Sequence, residues 1–226
     1  MKHYIKLWAA AFALIFLTAG FLGAQELKIP SPTNLFQHSV SSGAIYEFPT
    51  VRIWGWSAEG KIAYSIEREM AGVGGKIIEF NVFDAVEDDV VSNFNIDSYD
   101  IDRVSITNAL RANNIVEGEI GFQPFPIRRN NMEYLCSLTN VAYSPDSYGF
   151  FNDNISKYSV VVTANGKSKT VNTFSGGNLT RKVYICGYIL SPFENRALLV
   201  LAEERFVFEG TELFYVFCGC HLGVGF

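Results

Sequence analysis

The sequence predicts a mainly β protein, a β-rich α+β chain of antiparallel meanders with one helix. Lys61 to Glu69 and Lys76 to Asp84 alternate apolar and polar residues with the two-residue period of a half-buried strand. Asn165-Gly166 separates two further strand-like segments and is a strong signal for a two-residue hairpin. These patterns favour a curled sheet, a sandwich or a small propeller-like unit.

The composition excludes two broad classes of protein. Of the 226 residues, 49% are apolar and 18% are charged, whereas a disordered chain needs low hydrophobicity and high charge. The chain carries 18 basic and 23 acidic residues, which argues against nucleic acid as a partner. The length fits one ordinary domain after removal of a leader.

The first two dozen residues have the pattern of an export leader. Residues 1–6 are basic, and the stretch from Leu7 to Leu22 contains no charge. We predict a signal peptide over residues 1–24, cleaved after Ala24, with Gly20 as the second choice. The alternative is an uncleaved anchor, which is the only membrane contact the sequence suggests. The expected location is therefore the periplasm, the envelope or the extracellular space.

Residues 25–48 contain prolines and serines without clear periodicity, so we expect an extended lead-in. Residues 49–226 then form a single β-rich domain. Its first strands are predicted at 51–56, 61–69, 76–84 and 90–94, joined by tight polar turns. Alternation places one set of apolar side chains on a single face of each of the two longer strands: Ile62, Tyr64 and Ile66 on one, and Ile78, Phe80 and Val82 on the other.

One segment, near residues 102–115, has helical rather than alternating order. Acidic residues precede it and Gly118 follows it, as at the two ends of a helix. The apolar residues that set the helical order are Val104, Ala109, Leu110 and Ile115. The proline-rich stretch from Phe122 to Ile127 is expected to be an edge strand or linker. Strands are then predicted at 134–143, 158–164, 167–174, 183–190, 196–204 and 213–218.

The chain contains a partial internal repeat, over residues 51–94 and 183–220. Val51 to Trp56 parallels Val183 to Tyr188 in position and character, and Phe80 to Asp84 parallels Phe214 to Cys218. A shorter echo runs from Val141 to Asp146. The repeat predicts at least two meanders of the same design.

A short motif recurs within both repeats and in the echo between them. Trp56-Ser57-Ala58-Glu59 precedes the strand that begins at Lys61, and similar strings begin at Tyr143 and Leu190. This order of an apolar residue, serine, proline or alanine, and an acidic residue resembles the blade signature of TolB-type and WD-type β-propellers. The resemblance covers about 90 residues and implies propeller-like packing of four-stranded blades.

No assembled catalytic set is evident in the sequence. His38 and His221 are the only histidines after the leader, and neither stands in a recognisable catalytic context. The chain has no nucleophile elbow, no zinc-protease motif and no phosphate-binding glycine loop. We therefore predict no catalytic residues and no cofactor.

The four cysteines are an even number in a chain expected to be exported, which favours disulfides. The prediction is that Cys186 bonds to Cys218 or Cys220 and that Cys136 takes the other. One alternative is a metal site formed by Cys218, Cys220 and His221. Another is reduced cysteines that pack as small apolar residues.

Two further groups of side chains suggest function. Trp54 and Trp56 flank Gly55, so both indoles are expected on one side of a strand, as a platform for a sugar or peptide or as core packing. Glu67 and Glu79 on neighbouring strands are the candidate carboxylates of a hydrolase, or else part of a solvated strand face.

The sequence thus favours an exported, non-catalytic protein that acts through surface binding or a structural role. The partner class left open is an envelope protein or a glycan. The two alternatives are a secreted hydrolase that uses carboxylates and a protein that binds metal through the carboxyl-terminal Cys-Gly-Cys-His.

Overall fold

A computed structural model describes residues 27–39, 45–69, 75–96, 101–118, 120–145, 152–176, 179–207 and 210–226. The predicted leader, residues 1–24, lies outside the described residues. Across these ranges the chain is mainly β with one helix and with antiparallel sheets, which confirms the predicted fold class. No helix within these ranges is long and apolar enough to cross a membrane.

The first sheet is built from the amino-terminal half of the chain. Its strands are β1 (Thr33–Asn34), β3 (Thr50–Trp56), β4 (Lys61–Glu69), β5 (Lys76–Asp84), β6 (Asp89–Ile96) and β7 (Val116–Glu117). The order across the sheet is β1-β3-β4-β5-β6, with β7 also paired to β3. The strands β4 and β5 have the bounds that the alternating pattern predicts.

The second sheet is a meander from the middle of the chain. Its strands are β9 (Ile127–Arg129), β10 (Met132–Ser144), β11 (Asn154–Ala164) and β12 (Lys167–Ser175), in the order β12-β11-β10-β9. Asn165 and Gly166 join β11 to β12, and their φ angles of 50° and 73° match a type I′ turn. The predicted hairpin is confirmed.

The third sheet contains the carboxyl-terminal meander. Its strands are β2 (Ile45–Glu47), β8 (Phe122–Gln123), β13 (Thr180–Leu190), β14 (Arg196–Val207) and β15 (Gly210–His221). The order is β2-β15-β14-β13-β8, and only the β2–β15 pair is parallel. The short β8 lies at the edge, as the prolines around it require.

The third sheet lies between the other two. One face packs on the first sheet, where the rings of Tyr64 and Phe217 are 4.5 Å apart. The opposite face packs on the second sheet through residues such as Leu199 and Tyr158. Because both faces are buried, the central strand β14 is apolar at consecutive positions rather than at alternate ones.

The helix α1 (Arg103–Ala112) covers the outer face of the first sheet. Asp102 caps it by accepting a hydrogen bond from the Ser105 amide at 2.9 Å. Ile106 and Leu110 are the residues it buries, whereas Val104 is 70% exposed. The helix is confirmed, but the expected place of Val104 on its apolar side is wrong, because Ile106 and Leu110, four residues apart, define the buried face.

The side-chain alternation of β4 decides which layer each residue joins. Ile62, Tyr64 and Ile66 lie on one face, as predicted, and this face packs on the third sheet. Ile78, Phe80 and Val82 of β5 face α1. One polar contact links all three sheets: Asp88, with φ 58°, accepts hydrogen bonds from the Gly219 amide and from Asn172 Nδ2.

Candidate ligand-binding cleft

Strand pairing along the outer edge of β3 is interrupted near the centre of the strand. β1 pairs with β3 at Val51, and β7 pairs with it at Gly55. Between these two positions, Arg52 to Trp54 has a strand partner only on the β4 side among the described residues. The first sheet therefore has a short stretch of open edge flanked by two short strands.

A cleft of about 680 Å³ opens onto this stretch. Its walls come from three separate parts of the chain: the lead-in, the edge of β3, and the segment after β7. The lining residues are Lys28, Ile29, Pro30, Ser31, Thr33, Ile53, Trp54, Glu117, Gly118, Ile120 and Gly121. The volume lies within the usual range for ligand sites, and the lining combines apolar side chains with a few polar groups.

A β-bulge sets one end of the cleft. The β3–β4 register shifts between Ile53 and Gly55, so Trp54 is an extra residue on β3. A Cβ atom at Gly55 would lie 2.2 Å from the Val116 carbonyl oxygen. Only glycine therefore allows β7 to approach β3 this closely.

Hydrogen bonds hold the lead-in wall against the sheet. Arg52 donates from Nη1 to the Pro30 carbonyl at 2.7 Å and from Nη2 to Glu67 Oε2 at 3.2 Å. At the other side of the cleft, Glu117 Oε2 accepts from the Lys28 amide at 3.3 Å. Buried Leu27 anchors the same segment in the core. The cleft is therefore preformed by contacts within this chain.

The carboxylates predicted for a hydrolase do not come together. In the β4–β5 register Glu67 is opposite Ile78, whereas Glu79 is opposite Ile66. Residues opposite each other share a face and successive residues alternate, so Glu67 and Glu79 lie on opposite faces of the sheet. The predicted pair is wrong, and Glu79 shares its face with Ile66 of the core.

The electrostatics of Glu67 also differ from those of a general acid. Lys76 Nζ lies 2.5 Å from Glu67 Oε1, and this hydrogen bond, with a further one from Arg52, lowers the pKa of Glu67 despite its partial burial. A general acid in glycoside hydrolysis needs a raised pKa instead. Glu67 therefore acts as a structural anion that holds Arg52 in place.

The two tryptophans do not form an exposed platform. The extra residue in β3 places Trp54 in the core beneath α1 and Trp56 in the core that faces the third sheet. They are 2% and 0% exposed. The expectation of a shared side is wrong, because the bulge at Trp54 breaks the two-residue alternation. Trp54 still contributes to the wall of the cleft, with its Nε1 donating to Ser65 Oγ at 3.0 Å.

The predicted disulfides are wrong: all four cysteines are free thiols. Cys186 lies on the face of the third sheet that packs against the first sheet, whereas Cys218 and Cys220 lie on the opposite face. The strand β14 also separates β13 from β15. Cys136 packs at the border of the second core as a half-buried residue. The interpretation that fits is cysteines as small apolar residues.

The alternative metal site has no support in the arrangement of its residues. Cys218 and Cys220 point into the core between the second and third sheets, and burial raises the pKa of both thiols, that of Cys220 to about 11. Binding a metal requires thiolates, which this burial disfavours. Within the described ranges no three His, Cys, Asp or Glu side chains are grouped to hold a metal ion.

The sequence analysis missed a buried carboxylate. Glu203 is 1% exposed and accepts hydrogen bonds from Tyr158 Oη at 2.6 Å and Thr180 Oγ1 at 3.0 Å. Arg205 Nη2 lies 2.7 Å from its carboxylate. This network joins the second and third sheets. The available signal was an acidic residue directly after the long apolar run of β14.

The cleft remains the candidate site that the described residues support best. Comparison of the chain with protein-family models, with curated proteins and with solved structures gives no match. The resemblance to TolB-type and WD-type propeller blades therefore stays a prediction.

Proposed function

We propose that this chain is an exported, non-catalytic binding protein of the envelope or extracellular space, and that the cleft beside β3 binds a short extended peptide. The observation that carries the proposal is the open edge from Arg52 to Trp54 inside a preformed cleft of about 680 Å³. Export rests on the leader pattern in residues 1–24.

The edge of β3 supports a peptide as the ligand. An open strand edge offers backbone hydrogen-bonding groups that an added strand can pair with. The short strands β1 and β7 pair with the same edge on either side of the gap. At about 3.3 Å per residue, the distance from Val51 to Gly55 accommodates a segment of about three or four residues.

The lining of the cleft supports a mostly uncharged sequence. Ile29, Pro30, Ile53 and Ile120 offer apolar contacts, and one cation and one anion, Lys28 and Glu117, border the site. Opposite charges give no net attraction for a strongly charged ligand. Backbone pairing would supply the affinity, and the apolar wall would select the side chains.

Binding can be tested with a defined probe, the uncharged peptide acetyl-Val-Thr-Val-Thr-amide. Titration of the isotope-labelled mature protein, followed by NMR, is expected to give saturable shifts of the Ile53, Gly118 and Gly121 amides and of the Trp54 indole. Shifts that map elsewhere, or that follow N-acetylchitobiose and not the peptide, would contradict a peptide site.

A blocking variant sharpens the test. A Cβ at Gly121 meets nothing within 4 Å, so the backbone has room for a side chain there, and Gly121→Phe adds bulk beside the cleft. We expect at least about tenfold weaker peptide binding, since a site filled by its own side chain cannot accept a ligand. The matched control is Thr170→Phe, at an exposed position of β12 on the second sheet, which should bind as the wild type does.

Export is tested separately. Intact mass of the protein recovered from cell fractions should show a chain that begins at Gln25 and lies outside the cytoplasm. A full-length cytoplasmic chain would remove the export part of the proposal and leave the peptide site to be judged on its own.

A further inference from the structure

We propose that Pro30 and Pro32 keep the cleft open, because they prevent the lead-in from extending β1 along the free edge of β3. Both are positioning residues in this sense, since they act through the course of the backbone. The inference deepens the proposed function and rests on it: it names what leaves the edge of β3 available to a peptide.

The lead-in runs beside the open stretch of β3 from one end to the other. At one end its Lys28 amide donates to Glu117, the β7 residue that lies opposite Gly55. At the other end Thr33 lies opposite Val51. Because β1 is antiparallel to β3, residues 28–32 pass along the same edge and form one wall of the cleft. The chain itself thus carries a segment placed to fill the ligand's position.

The pairing of β1 with β3 ends where the prolines begin. Its last pair sets Thr33 opposite Val51. The same register, continued back along the lead-in, would set Pro32 and Pro30 opposite the two ends of the open stretch, Arg52 and Trp54. Within the described ranges neither proline belongs to a strand.

Two properties of proline explain why the ladder stops there. Proline has no N–H to donate, and its ring fixes φ near about −65°, away from the value of about −140° found in antiparallel strands. A proline also restricts the residue before it to extended conformations, which here applies to Ile29 and Ser31. The two prolines therefore keep this wall extended but unpaired.

Side chains, rather than the edge of β3, bind the polar backbone groups of this wall. The Pro30 carbonyl accepts from Arg52 Nη1 at 2.7 Å, and the Lys28 amide donates to Glu117 Oε2 at 3.3 Å. These contacts satisfy the lead-in without using the backbone groups of the open stretch. A ligand strand can then pair with those groups instead.

The test is a double variant, Pro30→Val with Pro32→Val, which restores two N–H groups and introduces residues that favour strands. Pro32 is exposed and Pro30 half-buried, so the core is not altered. We expect the new amides at positions 30 and 32 to exchange at least about tenfold more slowly than in an unstructured chain. NMR should also show new contacts between the backbones of residues 31 and 53.

The same variant should bind acetyl-Val-Thr-Val-Thr-amide at least about tenfold more weakly than the wild type, because its own lead-in competes for the edge. The matched control is Pro192→Val, at an exposed proline between β13 and β14. This control should change neither peptide binding nor the exchange of the Ile53 amide.

The two readouts separate this inference from the proposed function. Unprotected amides at positions 30 and 32 would overturn the role of the prolines, even if the wild type binds the peptide. Protected amides with unchanged peptide affinity would show that the peptide binds elsewhere, which would contradict the cleft as its site. If the wild type does not bind the peptide, the proposed function fails, and hydrogen exchange still decides whether the prolines keep the edge unpaired.

Discussion

The first meander, β3 to β5, and the last, β13 to β15, share their local structure and differ in what covers their faces. Each begins with a strand that carries a bulge before a glycine, at Gly55 and at Gly187. A Cβ at these glycines would lie 2.2 Å from the Val116 oxygen and 2.3 Å from the Gln123 oxygen. The partial repeat in the sequence is therefore also a repeat of backbone geometry.

The coverage of the two meanders is different. The first has α1 on one face and the third sheet on the other, whereas the last has a sheet on both faces. The bulge residue is accordingly Trp54 in the first and Cys186 in the last. A large side chain fills the space beneath a helix, while a small one suffices between sheets. The same local motif thus serves an outer layer and a central one.

The largest expected effect is a difference in unfolding free energy between substitutions of the two bulge residues, Trp54 and Cys186. Trp54→Ala should lower the free energy of unfolding by about 3–5 kcal/mol, because it leaves a cavity beside Phe80 beneath α1. Cys186→Ala removes one atom and should cost about 1 kcal/mol. Urea unfolding followed by circular dichroism measures both, with exposed Phe193→Ala as the control. Equal costs would show that the two bulges are not used differently.

The next effect tests whether the backbone is equally crowded at the glycines of the two bulges. Gly55→Ala and Gly187→Ala should each cost about 1–3 kcal/mol, because the added methyl group clashes with a carbonyl of β7 or β8. Gly121→Ala meets nothing within 4 Å and should change stability by less than about 0.5 kcal/mol. Thermal and urea unfolding report the three values. A neutral result at only one of the two bulges would break the comparison.

A smaller effect concerns two acidic residues that lie within the second strand of each meander, β4 and β14. Glu203 in the last is buried and Glu67 in the first is near the surface. Tyr158→Phe removes one hydrogen bond to Glu203 and should cost about 1–2 kcal/mol in urea unfolding. Exposed Tyr143→Phe is the matched control and should be neutral. A neutral Tyr158→Phe would mean that Arg205 and Thr180 alone satisfy the carboxylate.

The smallest effect is that of Glu67→Gln, and it should depend on pH. The folded-state pKa of Glu67 is lowered, chiefly by the hydrogen bond from Lys76, so its carboxylate stabilises the fold above about pH 4.5. This contribution is lost as the pH falls through the folded-state pKa. Because the Lys76 side chain is 49% exposed, the difference at pH 7 should be about 0–1 kcal/mol. A difference that grows on acidification, in urea unfolding at several pH values, would contradict this assignment.

Much of the fold could be predicted because its signals are local. Alternation along residues 61–69 and 76–84 specifies two strands and their buried faces. Asn165-Gly166 specifies a turn through the φ angles it tolerates. Asp102 begins the helix through an N-terminal cap that involves only its near neighbours. Each of these depends on residues close together in the chain.

The candidate site could be predicted only in part. The sequence indicates Trp54 and Trp56 as either a ligand platform or core packing; the structure buries both, and the bulge prevents a shared platform. The cleft also needs Lys28 to Thr33 from the lead-in and Glu117 to Gly121 from beyond α1, which no local pattern connects to β3. Glu203 likewise joins two sheets only because Tyr158, from the second sheet, donates a hydrogen bond to its carboxylate.

The sequence by itself determined the strand-rich class, most strand positions, the helix and the repeat, because periodicity and turn chemistry act over a few residues. Tertiary structure decided which face of each strand meets which layer, that Cys186 lies on the opposite face of the third sheet from Cys218, and where an edge stays open. There are two physical reasons. One extra residue in a strand reverses which face the following side chains occupy, and it does so at a low cost in local free energy. The stacking of the sheets, in contrast, depends on apolar burial summed over the whole chain.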